Sequence, residues 1–347
     1  MFVDSVLTKD VEKLTSDAVL CGQAGFDALW VTESQHDSFL QSLLVANTVP
    51  DVSVGTAVAI AFARTPMTLA YSGYDLARYT GGRFILGLGP QIKPHIERRF
   101  SMPWSQPAKR MRELIYALRA IWSSWQHNSP LKFEGEFYTH TLMTPNFTPP
   151  AHPHGPPPVY LAGVGELMTE VAGEVADGFL GHSFTTERFV REVTLPALDR
   201  GWDRGSQDRA RPVISGMPFV ATGNNTAELD AAIAGIRTRI AFYGSTPAYK
   251  KVLDLHGWGE MHARLNTMTK QGRWDEIAAV VPDEVVEEFT VIGSPSEVGK
   301  TLVTRYCGLY DRLTFNMPYP HEPGIKADLA RAVRSALTDT HTDTDTD

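Results

Sequence analysis

The sequence predicts an α/β fold, a (β/α)8 TIM barrel carrying insertion segments, and three observations lead there. Strand-like and helical stretches alternate from the first residues onward, the pattern of βα units around a parallel sheet. The segment Val52–Ile60 is apolar apart from small residues and carries no charge, as expected of a strand covered on both faces by helices. Eight strand candidates can be marked between Phe2 and Phe315, and eight strands close such a barrel.

Phe2–Leu7 reads as the opening strand. The helix after it turns Val11, Leu14, Ala18 and Val19 to one face, with Thr8 placed to cap it, Asp10 and Glu12 at its positive end, and Gly22 and Gly25 at its exit. Ala28–Thr32 follows as a buried strand and Phe39–Val49 as the second helix. After Val52–Ile60 and Pro66, a helix over Met67–Tyr79 leads through Gly81 and Gly82 into strand Phe84–Leu86, which ends on Gly87-Leu88-Gly89. Lys93–Phe100 and Pro107–Trp125 are helical in pattern, the second with Pro107 at its first position. The barrel resumes with strand Pro158–Ala162, a helix over Leu167–Ala176, strand Gly178–Gly181, a helix over Thr185–Arg200 and strand Val213–Ala221. Pro295–Tyr306 supplies a late helix and Asp311–Phe315 the last strand.

Two segments exceed what a βα connection needs. In residues 130–158 prolines crowd together and Phe133–Tyr138 alternates about Gly135 as a hairpin would. Residues 224–290 are mostly helical and form a second insertion. The expected organisation is one domain over residues 1–337, followed by a disordered acidic tail of Thr-Asp repeats at 338–347. Trp104, Trp122 and Trp125 are assigned to packing.

The net charge of −8 offers no attractive field for nucleic acid or an anionic membrane, which excludes those partners. Cys21 and Cys307 stand far apart in apolar helical contexts, as buried reduced thiols do in a cytoplasmic protein. No basic segment followed by an apolar run opens the chain, and no apolar run approaches the ~20 residues that span a membrane. A cytoplasmic location is therefore expected. Phosphate-loop, metallopeptidase and nucleophile-elbow motifs do not occur. His152 and His154 lie two apart in the proline-rich insertion without a cysteine nearby, so no metal site is expected.

In a TIM barrel the reacting groups stand at the C-terminal ends of the strands. That rule gathers Glu33, Ala57-Val58, Gly87–Gln91, Ala162–Gly165, His182 and Asn316–Tyr319 at one mouth. Gly87 and Gly89 suggest a floor that a ligand approaches closely, because glycine presents no Cβ. Gly163-Val164-Gly165 precedes a helix and is open to two readings, a simple βα turn or an anion seat made of free N–H groups.

Taken in order, Ala24–Glu33, Gly55–Val58, Leu76–Gly89, Val159–Gly163 with Ala176–Phe179, and Phe289–Val298 carry a resemblance. The sequence resembles the luciferase-like superfamily of flavin- and deazaflavin-dependent oxidoreductases over nearly its whole length. Gly55–Ile60 with Ala63–Pro66, and the run Gln91–Phe100, look most like the branch that uses coenzyme F420.

The resemblance implies a barrel enzyme that transfers hydride between the deazaflavin C5 and a small organic substrate. It implies a cis peptide at Ala57–Val58 behind the cofactor ring, a phosphate at Ala162, Gly163, Val164 and Gly165, and the linker over Gly87, Leu88, Gly89 and Gln91. Lys93, with His95, Arg98 and Arg99, would meet the phosphate or the polyglutamate tail, or else form a solvated helix face. Glu166 at the helix start counts against a tight phosphate contact. Relatives place an acidic residue followed by histidine after the second strand. Here His36 lies three places after Glu33, either as a proton donor oriented by Glu33 or as a loop residue beside a Glu33 salt bridge. A homo-oligomer is expected on the same basis. The alternatives are an FMN-dependent monooxygenase of the same fold, a cofactor-binding protein without catalysis, and a barrel hydrolase, which lacks a second acidic residue at the strand ends.

Overall fold

The computed structural model describes residues 1–206, 208–322 and 324–342. Eight parallel strands form the barrel: β1 (Phe2–Val6), β2 (Ala28–Val31), β3 (Ser53–Thr56), β4 (Phe84–Gly89), β5 (Val159–Ala162), β6 (Gly178–Leu180), β7 (Val213–Gly216) and β8 (Arg312–Thr314). They pair in sequence order, β8 pairs back to β1, and β3 pairs with β4, so the sheet has no free edge. All eight strand candidates of the sequence are in the ring.

Helices cover the outside, including α1 (Leu14–Gln23), α2 (Ser38–Thr48), α3 (Pro66–Tyr79), α4 (Pro107–His127) and α5 (Glu166–Val175). Local chemistry fixes their starts. Thr65 and Thr68 cap α3 reciprocally with Pro66 at the first turn, and Asp37 caps α2 by accepting from the N–H groups of Phe39 and Leu40. Trp122 and Trp125 of α4 are buried against α3, where the Trp122 indole N–H donates to the Ala70 carbonyl at 3.0 Å. Trp104 meets the edge of Phe62 at 5.7 Å.

The barrel interior holds an ion pair at its N-terminal side. Asp4 is wholly buried and accepts from Arg312 Nε at 2.7 Å, Arg312 Nη2 at 2.8 Å and the Trp30 indole at 3.0 Å. Above it, Ala28, Trp30, Ile85, Tyr160 and Leu180 form the inner core, topped by the partly buried Val6, Ala57, Val58 and Ala162.

Three sequence expectations need correction. The stretch Val52–Ile60 is two strand pieces, β3 and Ala59–Ile60, separated by a cis peptide at Ala57–Val58. Three residues lie between Gly55 and Ala59 while two lie between their partners Ile85 and Leu88, so the segment carries a one-residue bulge. The stretch Val213–Ala221 also divides. Pro218 has no N–H to continue the ladder, and Phe219–Ala221, still bridged to Asn316 beyond β8, pairs on its other side in parallel with Thr290–Ile292. That two-stranded clasp brackets the helical insertion of residues 224–289. Finally, the last helix runs Ile325–Thr342, so the first residues of the expected disordered tail are helical. Residues 343–347 of that tail lie outside the described residues.

In the other insertion, Phe133–Glu134 and Thr139–His140 form the expected antiparallel hairpin. Glu113 of α4 anchors its turn by accepting from the N–H groups of Glu136, Phe137 and Tyr138. Among the described residues, no helix is long and apolar enough to cross a membrane.

Candidate active site

The C-terminal end of the barrel has an apolar floor. Ala57 and Val58 project there from the bulge after β3, beside Ala162 at the end of β5 and Val6 at the end of β1, all partly exposed above Trp30 and Tyr160. An apolar surface of this kind suits a planar ring system.

Gly87, Leu88 and Gly89 are placed otherwise than expected. They are buried, and the space their glycines leave is filled by the protein itself. A Cβ on Gly87 would collide with the Thr56 carbonyl oxygen, and one on Gly89 would lie 2.6 Å from Val58 Cγ2. The Thr56 hydroxyl in turn donates to the Gly87 carbonyl at 2.7 Å. These glycines seat the bulge rather than admit a ligand, and the apolar floor lies one layer higher, at Ala57 and Val58. Gln91 follows in a left-handed conformation with φ 62°, half-buried at the rim. Lys93 is exposed and pairs loosely with Glu97 at 3.8 Å. Arg99 reaches across the mouth to the Ser34 carbonyl at 3.0 Å, tying the loop after β4 to the loop after β2.

That second loop is held from within. Arg64 forks onto Glu33, with both N–O distances 2.8 Å, and reaches Asp37 at 2.6 Å. Glu33 also accepts from the Ile60 N–H at 2.8 Å and from the Ser38 hydroxyl at 3.3 Å. Gln41 adds donations to the carbonyls of Thr32, His36 and Asp37. The expectation that Glu33 orients His36 is therefore corrected: its carboxylate is committed to Arg64 and Ile60. The His36 ring is exposed and has no hydrogen-bond partner among the described residues.

On the opposite side, Ala162-Gly163-Val164-Gly165 leads into α5. No side chain caps the start of α5, so its first N–H groups are available. Val164 and Gly165 are exposed, and a Cβ at Gly165 would meet nothing within 4 Å. Glu166 is drawn aside by Lys251 at 2.7 Å and Arg200 at 3.6 Å, which removes its objection to an anion at this helix end. Gly163, Val164, Thr169, Gly181, His182 and Thr185 line a cavity beside it, where the Thr185 hydroxyl is buried without a partner among the described residues. An anion would satisfy both the hydroxyl and the helix end.

His182, just after β6, is a strongly perturbed titratable group at this mouth. Burial holds its pKa down to about 4, so the ring is neutral near pH 7. The Phe184 N–H donates to Nδ1 at 3.0 Å, and Nε2 lies 3.1 Å from the hydroxyl of Tyr249, which arrives from the helical insertion. The position of His182 after a strand was readable from the sequence. Nothing in the sequence signalled Tyr249, which lies 67 residues further on. Asn316, after β8, donates to the Ser183 hydroxyl at 2.5 Å. Tyr319 instead turns to the clasp, donating to the Val220 carbonyl at 2.9 Å. His152, as expected, serves the proline-rich lobe: its ring packs 4.2 Å from that of Tyr74, centroid to centroid.

A family model described as luciferase-like monooxygenase matches residues 5–312. The chain belongs to the luciferase-like monooxygenase family. An uncharacterised protein of Mycobacterium tuberculosis (strain H37Rv) is 48% identical to it over 311 residues, 90% of this chain and 92% of that protein. The 5,10-methylenetetrahydromethanopterin reductase of Archaeoglobus fulgidus is 27% identical over 288 residues, 80% of this chain and 81% of the reductase. Among solved structures, the coenzyme F420 dependent tetrahydromethanopterin reductase from Methanopyrus kandleri superposes with a TM-score of 0.78 at 17% identity, covering 96% of this family member and 98% of that chain. That likeness establishes the shared barrel.

Proposed function

We propose that this luciferase-like protein is a coenzyme F420-dependent oxidoreductase that moves hydride to or from a small organic substrate. The observation that carries the reading is the pairing of an apolar floor at Val6, Ala57, Val58 and Ala162 with an uncapped helix end at Gly165 beside the unpartnered Thr185 hydroxyl. Those two features fit a cofactor with a flat ring and a phosphate. The deazaflavin is favoured by the relatedness to a methylenetetrahydromethanopterin reductase and by the F420-dependent structural neighbour.

When bound, the cofactor would supply the hydride chemistry. The chain's share is positional. Ala57 and Val58 back the ring, Val164, Gly165 and Thr185 hold the phosphate, and the Arg64–Glu33 fork keeps the bulge in register by its bond to Ile60. An FMN-dependent monooxygenase is the competing reading, favoured by the name of the family itself. Titration of the purified protein with F420 and with FMN, followed by cofactor fluorescence, separates the two.

A further inference from the structure

The insertion over residues 224–289 brings one side chain to the mouth whose hydrogen bonding is incomplete. Tyr249, at the end of the turn Pro247–Tyr249, places its hydroxyl 3.1 Å from His182 Nε2. The other ring nitrogen, Nδ1, accepts from the Phe184 N–H at 3.0 Å and so carries no hydrogen. The neutral ring must then hold its hydrogen on Nε2 and donate it to the tyrosine oxygen. Tyr249 therefore accepts from His182, and its own hydroxyl hydrogen has no acceptor among the described residues. Burial keeps the imidazole neutral and pushes the phenol upward, so both hydrogens are in place near pH 7.

The surroundings of this donor are apolar. The Tyr249 ring lies 5.4 Å from those of Tyr243 and Phe184, and Phe184 packs on Phe289 at 4.6 Å. His182 is wedged against Tyr243 at 4.6 Å. We propose that Tyr249 is a catalytic residue: it gives its free hydroxyl hydrogen to the acceptor oxygen of an apolar carbonyl substrate, and His182 is the positioning residue that fixes its orientation.

The proposal rests on the oxidoreductase reading. In the reducing direction, hydride from the reduced cofactor adds to the carbonyl carbon and the π pair of the C=O bond moves to oxygen. The Tyr249 hydrogen closes the new O–H bond, leaving a tyrosinate that the His182 Nε2–H stabilises until solvent returns a proton. The cofactor is oxidised by two electrons and the carbonyl becomes an alcohol.

The test begins with F420 titration of the wild-type protein, whose failure would remove the oxidoreductase reading by itself. With F420 binding established, infrared difference spectra of bound acetophenone and turnover with reduced F420 address Tyr249. The carbonyl stretch is expected at lower wavenumber in the wild type than in Tyr249→Phe. Turnover by Tyr249→Phe is expected to drop about 10²-fold or more, with KM for reduced F420 unchanged. His182→Gln, which keeps an N–H donor, should retain more activity than His182→Phe, and this pair answers the question should Tyr249→Phe fail to fold. Wild-type turnover by Tyr249→Phe, or equal loss in both His182 variants, would overturn the proposal. So would a protein that binds F420 yet neither binds nor reduces acetophenone, benzaldehyde or cyclohex-2-enone.

Discussion

Arg64 grips Glu33 with two nitrogens, each 2.8 Å from a different carboxylate oxygen, and the same carboxylate accepts the backbone N–H of Ile60. One side chain at the end of β2 thus holds the strand piece that resumes after the bulge. With Glu33 only 7% exposed, its charge depends on Arg64 for compensation. Glu33→Gln sets an amide N–H₂ against donors and leaves the Arg64 guanidinium with Asp37 alone to balance it. It should cost about 3 kcal/mol of stability, read by chemical denaturation, and weaken cofactor binding about tenfold. Arg64→Lys keeps the charge but loses the fork, and a smaller loss in both measurements is expected.

Two glycines at the mouth should respond in opposite ways to the same substitution. Gly87→Ala drives a methyl group into the Thr56 carbonyl, a backbone atom that cannot move without opening the bulge. A loss of about 3 kcal/mol or more, or no soluble protein, is expected. Gly165 has extended backbone and open space around its Cβ position. Gly165→Ala should melt within a few degrees of the wild type, and thermal denaturation of the two variants checks the contrast.

Acid should loosen the fold through His182. Its pKa is about 4 in the folded protein and near 6.5 when unfolded, so the unfolded chain binds the extra proton between those values. The stability it contributes is complete above about pH 6.5 and is lost as pH falls towards 4, on the order of 1–3 kcal/mol across that window. Tm should be level from neutral pH upward and decline below it, with a shallower slope in His182→Gln. Burial shifts His140, His152, His256 and His321 in the same direction, so the variant keeps part of the slope.

The buried pair at the N-terminal side of the barrel should be structural. Arg312→Met leaves Asp4 buried without its cation and should destabilise by about 3–5 kcal/mol. Adding Asp4→Leu should recover much of that loss, which a double-mutant cycle in urea would show.

The barrel was legible in the sequence because buried parallel strands write themselves as short apolar runs, and Val3, Leu29, Val54, Phe84, Leu161 and Leu313 all face packed surroundings. The Gly163–Gly165 turn was legible for a similar local reason. What failed was long-range. The glycines of β4 answer to Thr56 and Val58 on the neighbouring strand, and the Glu33 carboxylate answers to Arg64, 31 residues away. Neither partner leaves a local trace in the composition around the residue it serves. Tyr249 was hidden for the same reason, since an insertion shows its relation to the mouth only once the Phe219–Ala221 and Thr290–Ile292 clasp has fixed where it folds back.

The cofactor decides the central claim. Equilibrium titration of the purified protein with F420 and FMN, each followed by its own fluorescence, should show saturable F420 binding with FMN at least about 100-fold weaker, a difference near 2.7 kcal/mol. Tight FMN binding, with oxygen uptake once the flavin is reduced and no response to F420, would contradict it.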